Sequence, residues 1–324
     1  MVFRASQGNQ PVRRVALSVC GLLLACIGND ATEPSDVEPF TVVGHGTPPA
    51  GQGTSDLWVH GTVAYTGTIE IGTGVPGNTM WAWDVSGPGT PVQSASVVLD
   101  ARTVNDVKIR ADGTLGLITH EGSDDGLNGV TLIDLSNPLQ PSVISRTTAS
   151  LEAGVHNAWI EGDYAYLAVD GSRASSGLRV LDISDPADPQ VAASFYGGSS
   201  SLHDVHLHDG LAFLSHWDAG LIILDVGNGV AGGSPTNPIL VGRVQTTGGH
   251  THNAWYWPAA GYVFVGEESS RPGVVHVVDV DDFRRVSQGG QLRVDYIQRM
   301  RSVVARSARP RHAYDFAHLF SGDL

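Results

Sequence analysis

Histidine and carboxylate residues recur at two fixed places along this chain, each beside a short apolar run. The first place lies just before a run that opens with Asp or Asn, as at His203 in "SLHDVHLH". The second lies at or just after the end of the next apolar run, as at Glu121 in "LITHEG". Neutral imidazole and carboxylate are the ligands that Zn, Cu, Fe and Mn accept. The first set is Ser55, Asn105, His156, His203 and His252, and the second is Thr68, His120, Glu121, Asp170, His216, Asp218, Glu267 and Glu268.

Both places recur because the body of the chain is a repeat with a period of about fifty residues. Each unit contains an apolar run closed by Asp, two shorter runs before it and one after it. Gly, Pro, Ser and Asp turns separate the runs, and the helical period is absent. Four short strands per unit predict an all-β fold, a β-propeller of four-stranded antiparallel blades with five recognisable blades. The closing residues are Asp84, Asp134, Asp182, Asp225 and Asp279.

The predicted blade brings the two sets of residues to one face. The first strand of a blade and the second strand, here called the middle strand, run antiparallel. The start of the first strand and the end of the middle strand therefore meet at the same end of the blade. The first strand of a propeller blade is the innermost, so we expect His156, His203 and His252 around the channel mouth. The pattern predicts a divalent transition-metal site there, with outer carboxylates orienting the imidazoles. Its predicted histidine ligands are His156, His203, His252, His120 and His216.

Three functions are compatible with this face. It can serve a binding or interaction module for a protein or small-molecule ligand, with or without a metal. It can belong to a metal-dependent enzyme, in which Glu121 or Glu267 is the candidate acid–base group. It can also be purely structural, because a polar residue at the start of an inner strand can hydrogen-bond the backbone of the next blade. Trp58, Trp159 and Trp255 share one slot in three blades, which favours packing between blades over a ligand cage.

Composition excludes several other functions. Both cysteines, Cys20 and Cys26, lie in the leader, so the body has no thiol for a disulfide, a zinc–thiolate site or a nucleophile. Residues 27–283 contain eight basic and thirty acidic groups, a charge that repels nucleic acid and anionic lipid. The sequence also has no Walker loop, no G-x-S-x-G elbow and no H-E-x-x-H helix. No nucleic-acid partner is expected, and no particular reaction is indicated.

The N-terminus predicts export. Arg13 and Arg14 precede an apolar run at residues 15–25, which is too short to span a bilayer and fits a signal-peptide core. The run ends in "LLAC", which resembles the lipobox of bacterial lipoproteins and implies lipidation of Cys26 as the mature N-terminus. The alternative is an ordinary cleaved secretory signal. The lipoprotein interpretation predicts a protein of the bacterial cell envelope, held at a membrane by its acyl chains.

The units "GLRVLDISDPADPQVAAS" and "GLIILDV" resemble the LVIVD-repeat proteins. The resemblance covers roughly residues 55–283 and implies a β-propeller of the bacterial envelope, without one agreed activity. Together with the N-terminal features, the repeat predicts a signal peptide at 1–25, a tether at 26–39 and a propeller at 40–298, and an atypical Arg-rich tail at 299–324 departs from the resemblance. "QLRVDYI" (291–297) is a candidate outer strand of the fifth blade, and residues 38–46 are a candidate closing strand. An incomplete ring remains the alternative to a ring closed from the N-terminal side.

Overall fold

The computed structural model describes residues 41–170, 176–198, 201–246, 250–268, 274–280 and 293–295. Within these ranges the structure contains twenty strands, arranged as five antiparallel sheets of four strands each. In every sheet the strands pair in chain order, so each sheet is an up-and-down meander. These sheets correspond to the five blades that the repeat predicts.

The bounds of the strands follow the repeat closely. Blade 1 contains β1 (Gln52–His60), β2 (Val63–Glu70), β3 (Thr79–Asp84) and β4 (Val92–Val98). Blade 2 contains β5 (Val107–Ile109), β6 (Leu115–His120), β7 (Gly129–Asp134) and β8 (Ser142–Thr147). Blade 3 contains β9 (Val155–Glu161), β10 (Tyr164–Val169), β11 (Gly177–Asp182) and β12 (Gln190–Phe195). Blade 4 contains β13 (Leu202–His208), β14 (Leu211–His216), β15 (Gly220–Asp225) and β16 (Ile239–Val244). Blade 5 contains β17 (Thr251–Trp257), β18 (Tyr262–Glu267), β19 (Val275–Asp279) and β20 (Arg293–Asp295).

Burial changes across each blade from its middle strands to its fourth strand. Every residue of β6 and of β14 is buried, whereas the fourth strands β8 and β12 have no buried residue. Strands buried on both faces are expected where a neighbouring sheet covers each side of a blade. The alternating apolar residues of the sequence therefore point to two different inter-blade cores.

Four apolar clusters join successive blades. Tyr65 of blade 1 packs in one cluster with Ile118 of blade 2. Leu132 and Leu167 share the cluster between blades 2 and 3. Equivalent clusters lie between blades 3 and 4 and between blades 4 and 5. Each fully buried Leu or Ile side chain contributes about 1.5–3 kcal/mol, so the interfaces between blades supply most of the stabilisation.

The Asp that closes each third strand organises the turn after it. In three blades its carboxylate accepts a hydrogen bond from the backbone N–H two residues later, at 2.8–2.9 Å. This bond is an Asx turn, which the short carboxylate of Asp forms readily. In blade 4 the carboxylate of Asp225 accepts four backbone N–H groups instead, at 2.7–3.1 Å. The four donors are Gly227, Gly229, Ala231 and Gly233.

We expect Asp225→Ala to lower the free energy of unfolding by about 3–5 kcal/mol, because four backbone donors lose a charged acceptor. Asp182→Ala is the matched control and should cost about 1 kcal/mol, since Asp182 accepts one backbone N–H. Urea denaturation measures both values. Burial raises the pKa of Asp225, but the hydrogen bonds from the loop outweigh burial and lower it. The advantage of wild type over the variant should therefore shrink as the pH falls below about 4. Equal losses in the two variants would contradict this role for Asp225.

Around the hub, an Asp or Asn near the start of the inner strand bonds the next blade in blades 1 to 4. The carboxylate of Asp56 accepts the N–H of Val107 at 2.9 Å, and Asp106 accepts that of Ala158 at 2.7 Å. Asn157 accepts the N–H of Val205 at 3.1 Å, and Asp204 accepts that of Ala254 at 3.3 Å. The structural role expected for these Asp and Asn residues is confirmed.

The next layer of the hub fills the channel with large side chains. Trp58 meets Trp159 edge to face at 5.7 Å between ring centroids, and Trp159 meets Trp255 at 6.4 Å. His206 is 5% exposed and contacts both Trp159 and Trp255, at 4.8 and 4.4 Å. The tryptophans therefore pack between blades, as the sequence predicts. Lys108, the sole lysine of the chain, lies 5.1 Å from the Trp58 ring centroid in the same layer.

Of the two strands predicted at the ends of the repeat, one is present in the structure and the other is not. β20 pairs with β19, so the predicted outer strand of blade 5 is present at residues 293–295. Residues 41–46 form no strand, so the closing strand is wrong for this described part of the segment. Gly46 instead lies tightly against the Trp83 ring, and Gly44 lies so close to the Pro88 carbonyl that no Cβ would fit there. The part of the chain that the structure describes contains no helix long and apolar enough to cross a membrane.

Candidate metal centre

Three histidines reach the channel mouth through irregularities in the inner strands. In blade 4, Leu202 pairs with His216 and Asp204 with Ser215, so His203 is an extra residue without a partner. His156 and His252 are the extra residues at the same point of blades 3 and 5. A β-bulge of this kind turns a side chain out of the normal alternation. The bulges therefore place these imidazoles beyond the hub layer of Asp and Asn.

The three imidazoles form a row. The ring centroids of His156 and His203 are 4.2 Å apart, and those of His203 and His252 are 4.4 Å apart. The sequence predicts one ion shared by all three, but the metal-binding atoms fall into two groups. Within each group the atoms lie within 4.8 Å of one another. One group is His203, His252 and Glu268, and the other is Glu121, His156 and Asp170.

The group of His203, His252 and Glu268, here called the imidazole group, joins blades 4 and 5. His203 Nε2 lies 3.7 Å from Glu268 Oε2, and Glu268 is held by its backbone N–H, which donates to His250 O at 3.1 Å. Burial, with the charges of His156 and His252, lowers the pKa of His203 to about 2. Burial also lowers the pKa of His252, against the opposing charge of Glu268. Both imidazoles are therefore neutral near pH 7 and have a lone pair for a metal ion.

The group of Glu121, His156 and Asp170, here called the carboxylate group, joins blades 2 and 3. His156 Nδ1 lies 3.5 Å from Glu121 Oε1 and 3.0 Å from Asn105 Nδ2. Burial alone would lower the pKa of His156, but the adjacent carboxylate of Glu121 outweighs burial and raises it. Three backbone hydrogen bonds, two with Thr103 and one with Arg102, hold Glu121 in place, and Asp170 donates its N–H to Gly154 O at 3.1 Å. Each acid follows directly after the middle strand of its blade.

Trp217 covers the imidazole group. Its ring stacks on His203 at 5.1 Å with an interplanar angle of 27°, and it contacts His250 at 4.8 Å. Trp217 is absent from the residues predicted for the site because its type suggests packing. Its position was informative, however, since Trp217 follows the middle strand of blade 4 just as Glu121, Asp170 and Glu268 follow theirs.

Three predicted site residues lie outside both groups. His120 is fully buried in β6, where burial, with the charge of Arg146, lowers its pKa to about 4. The His216 ring lies against Gly197 and Gly198. Glu267 Oε1 lies 3.2 Å from His276 Nε2, and its Oε2 accepts the N–H of His250 at 3.0 Å. All three are the last residue of a middle strand, so they point between sheets and their successors face the mouth.

Comparisons with known proteins agree with this architecture. LVIVD repeats match residues 154–196 and 199–246, which are the stretches that form blades 3 and 4. The chain is similar to the β-propeller domain of Cps50 (Swd1) from Myceliophteria thermophila, with 13% identity, a TM-score of 0.53, and coverage of 74% of this chain and 72% of that one. It is similar to the periplasmic gluconolactonase PpgL of Pseudomonas aeruginosa, with 15% identity, a TM-score of 0.55, and coverage of 73% and 67%.

A functionally unknown protein from Desulfotomaculum acetoxidans is similar as well, with 15% identity, a TM-score of 0.51 and coverage of 70% of this chain. The chain spans 65% of that protein and 59% of the computationally designed Ika8 protein, less than two thirds of each. No curated protein matches the sequence. At these identities the likeness is one of fold.

The repeated sheets and these likenesses define an all-β protein of the β-propeller class, as the sequence predicts. Within that class, this chain carries LVIVD repeats in its third and fourth blades.

Proposed function

We propose that this protein is a lipid-anchored propeller of the cell envelope whose loop-bearing face binds a divalent transition-metal ion. The imidazole group is the proposed site. One observation carries the proposal: two imidazoles and a carboxylate from adjacent blades place their donor atoms within 4.8 Å of one another. Imidazole and carboxylate donors together suit Zn, Fe, Cu and Ni.

The surroundings of the imidazole group support a metal site over a purely structural cluster. His203 and His252 have to be displaced from strand pairing to meet, while the hydrogen bonds between blades are already made by Asp204 and its equivalents. Two uncharged imidazoles 4.4 Å apart also gain little from each other in the absence of an ion. Three protein ligands leave coordination positions open, through which a metal at the mouth would bind a protein or small-molecule ligand.

A metal-dependent enzyme is the second candidate function. The observation that favours it is the donor set of two histidines and one carboxylate, which binds catalytic metals with open positions in other proteins. Glu121 is the candidate acid–base group, because it lies beside His156 in the same row. Glu267 is a poorer candidate, since both of its oxygens face His276 and the His250 backbone. Turnover that is lost in Glu121→Gln while metal remains bound would favour the enzyme.

Metal titration of the whole exported chain tests the proposed site. We expect wild type, freed of metal with a chelator, to bind Zn²⁺ by calorimetry and the His203→Ala, His252→Ala double variant to bind it at least 100-fold more weakly. His208→Ala is the matched control, because His208 is exposed at the other end of the same inner strand. If wild type binds none of Zn²⁺, Ni²⁺, Cu²⁺ and Mn²⁺, the cluster is structural and the proposal fails.

Trp217 provides an independent optical test. A paramagnetic ion on His203 should quench the fluorescence of an indole stacked on that ring at 5.1 Å. We expect Ni²⁺ to lower the tryptophan emission, and Trp217→Phe to remove most of this quenching although six tryptophans remain of the seven. Trp257→Phe, half-exposed at the far end of β17, should leave the quenching in place. The same quenching in both variants would place the ion elsewhere.

The proposed address depends on Cys26, which lies outside the described residues. Several acyl chains, each stabilised by about 0.8 kcal/mol per buried methylene, would hold the protein at a membrane without a spanning helix. The acidic body gives no electrostatic help at an anionic bilayer, so the acyl chains would supply the attachment. Cys26→Ser should move the protein from the membrane fraction to the soluble fraction, whereas the Cys20→Ser variant should remain in the membrane fraction. Membrane retention of Cys26→Ser would contradict the lipid anchor.

A further inference from the structure

We infer that the carboxylate group binds a second divalent cation, so that the mouth of the propeller holds two neighbouring metal ions. This inference deepens the proposed function and rests on it, since it assigns a second site to the same face. The second site would prefer harder ions than the first.

The two groups are built by one structural rule. The imidazole group takes two bulge histidines from blades 4 and 5 and the acid that follows the middle strand of blade 5. The carboxylate group takes the bulge histidine of blade 3 and the acids that follow the middle strands of blades 2 and 3. In blade 4 the same position is Trp217, and in blade 2 the residue before the opening Asp is Asn105. Because Trp217 replaces an acid and Asn105 replaces a histidine, the imidazole group contains two imidazoles and one carboxylate, and the carboxylate group contains one imidazole and two carboxylates.

A cation would satisfy an oxygen that the fold leaves without a hydrogen bond. Glu121 Oε1 is buried and has no hydrogen-bond partner among the described residues. Its 3.5 Å approach to His156 Nδ1 is an ion-pair contact only. A buried acceptor without a hydrogen bond costs about 1–3 kcal/mol, and more when the acceptor is charged. A divalent ion bound by Glu121, His156 and Asp170 would give this oxygen a partner and so remove the cost.

The donor chemistry distinguishes the two ions. Two carboxylates and one imidazole suit Mn²⁺ better than two imidazoles and one carboxylate do, and the second set is the better one for Zn²⁺ or Ni²⁺. The His156 and His203 rings, one from each group, lie 4.2 Å apart at their centroids. Ions held by these two rings are near neighbours, so two Mn²⁺ ions would broaden each other's electron paramagnetic resonance lines.

Equilibrium dialysis followed by elemental analysis tests the second site on the intact chain. We expect two Mn²⁺ or Zn²⁺ ions per chain at saturation. The Glu121→Gln, Asp170→Asn double variant should retain one ion, and so should the His203→Ala, His252→Ala variant. Asp163→Asn is the matched control, an exposed acid in the hairpin turn of blade 3, and it should retain both. The Gln and Asn replacements are close to isosteric, and circular dichroism checks that the variant folds.

Each outcome decides between the two claims. If wild type binds one ion, and only the His203→Ala, His252→Ala variant loses it, the inference is overturned and the proposed function stands. If wild type binds one ion, and only the Glu121→Gln, Asp170→Asn variant loses it, the carboxylate site is supported and the proposed imidazole site is overturned. No bound ion overturns both. For wild type loaded with two Mn²⁺, broadened resonance lines support the pair of neighbouring sites, and sharp lines of isolated Mn²⁺ contradict it even if a variant fails to fold.

Discussion

Replacing Lys108 with methionine should lower the free energy of unfolding by about 3–5 kcal/mol, the largest loss that we expect from a single substitution in the hub. Lys108 Nζ donates to Asp56 Oδ2 at 3.2 Å and also to Asp106 Oδ1. Burial lowers the pKa of Lys108, but the charges of Asp106 and Asp56 outweigh it and raise the pKa, so Lys108 remains charged. Methionine fills the same space and leaves these buried carboxylates without their cation.

A second substitution separates charge from packing. Burial and the charge of Asp56 raise the pKa of Asp106, so Asp106→Asn removes a carboxylate that is itself costly. Asparagine occupies the equivalent position in blades 3 and 5 and can still accept the N–H of Ala158. We expect Asp106→Asn to restore at least half of the stability lost in Lys108→Met, as measured by urea denaturation. Arg110→Met, two residues along, should cost less than about 1 kcal/mol because its ion pairs are exposed. Additive losses in the double variant would show that packing dominates at Lys108.

Bound metal should raise the melting temperature by on the order of 10 °C. An ion that binds only the folded protein adds about 4 kcal/mol at a thousandfold excess over its dissociation constant. A domain of this size gains roughly 2–4 °C per kcal/mol. The ion would tie the inner strands of blades 4 and 5 together, in addition to two existing hydrogen bonds: Ala254 N–H donates to the Asp204 carboxylate, and Thr251 N–H donates to Trp217 O. Differential scanning calorimetry with Zn²⁺, and again after chelator, measures the shift.

The shift depends on the proposed ligands. In the His203→Ala, His252→Ala variant the added metal should move the melting temperature by less than about 2 °C, since two of three protein ligands are gone. His208→Ala should respond as wild type does. A shift of the same size in the double variant would mean that the stabilising ion binds away from the mouth.

Most of the architecture could be predicted from the repeat in the sequence. In blades 1 to 4 the Asp that ends the third strand accepts backbone N–H groups of the turn that follows, and an Asp or Asn near the start of the inner strand bonds the next blade. These requirements are local and recur from blade to blade, so they appear as a period. Irregular segments have no period, and for that reason residues 41–46 were wrongly expected to form a strand.

The sequence predicted most residues of the candidate site but not how these residues are grouped around the hub. The fixed position before the opening Asp or Asn identified His156, His203 and His252, because in blades 3, 4 and 5 the strand bulges at that residue. The division into two groups depends on distances around the hub, which spacing along the chain does not contain. The choice between Glu267 and Glu268 depends on where strand alternation ends, a boundary that a shift of one residue reverses.

Anomalous diffraction from crystals grown with Zn²⁺, recorded at the zinc absorption edge, tests the central claim most directly. The account predicts an anomalous peak at the channel mouth within about 2.0–2.2 Å of one imidazole nitrogen each from His203 and His252 and of a carboxylate oxygen of Glu268. A map with no peak bonded to these histidines would contradict it, and so would a structure in which their imidazoles lie too far apart to share an ion.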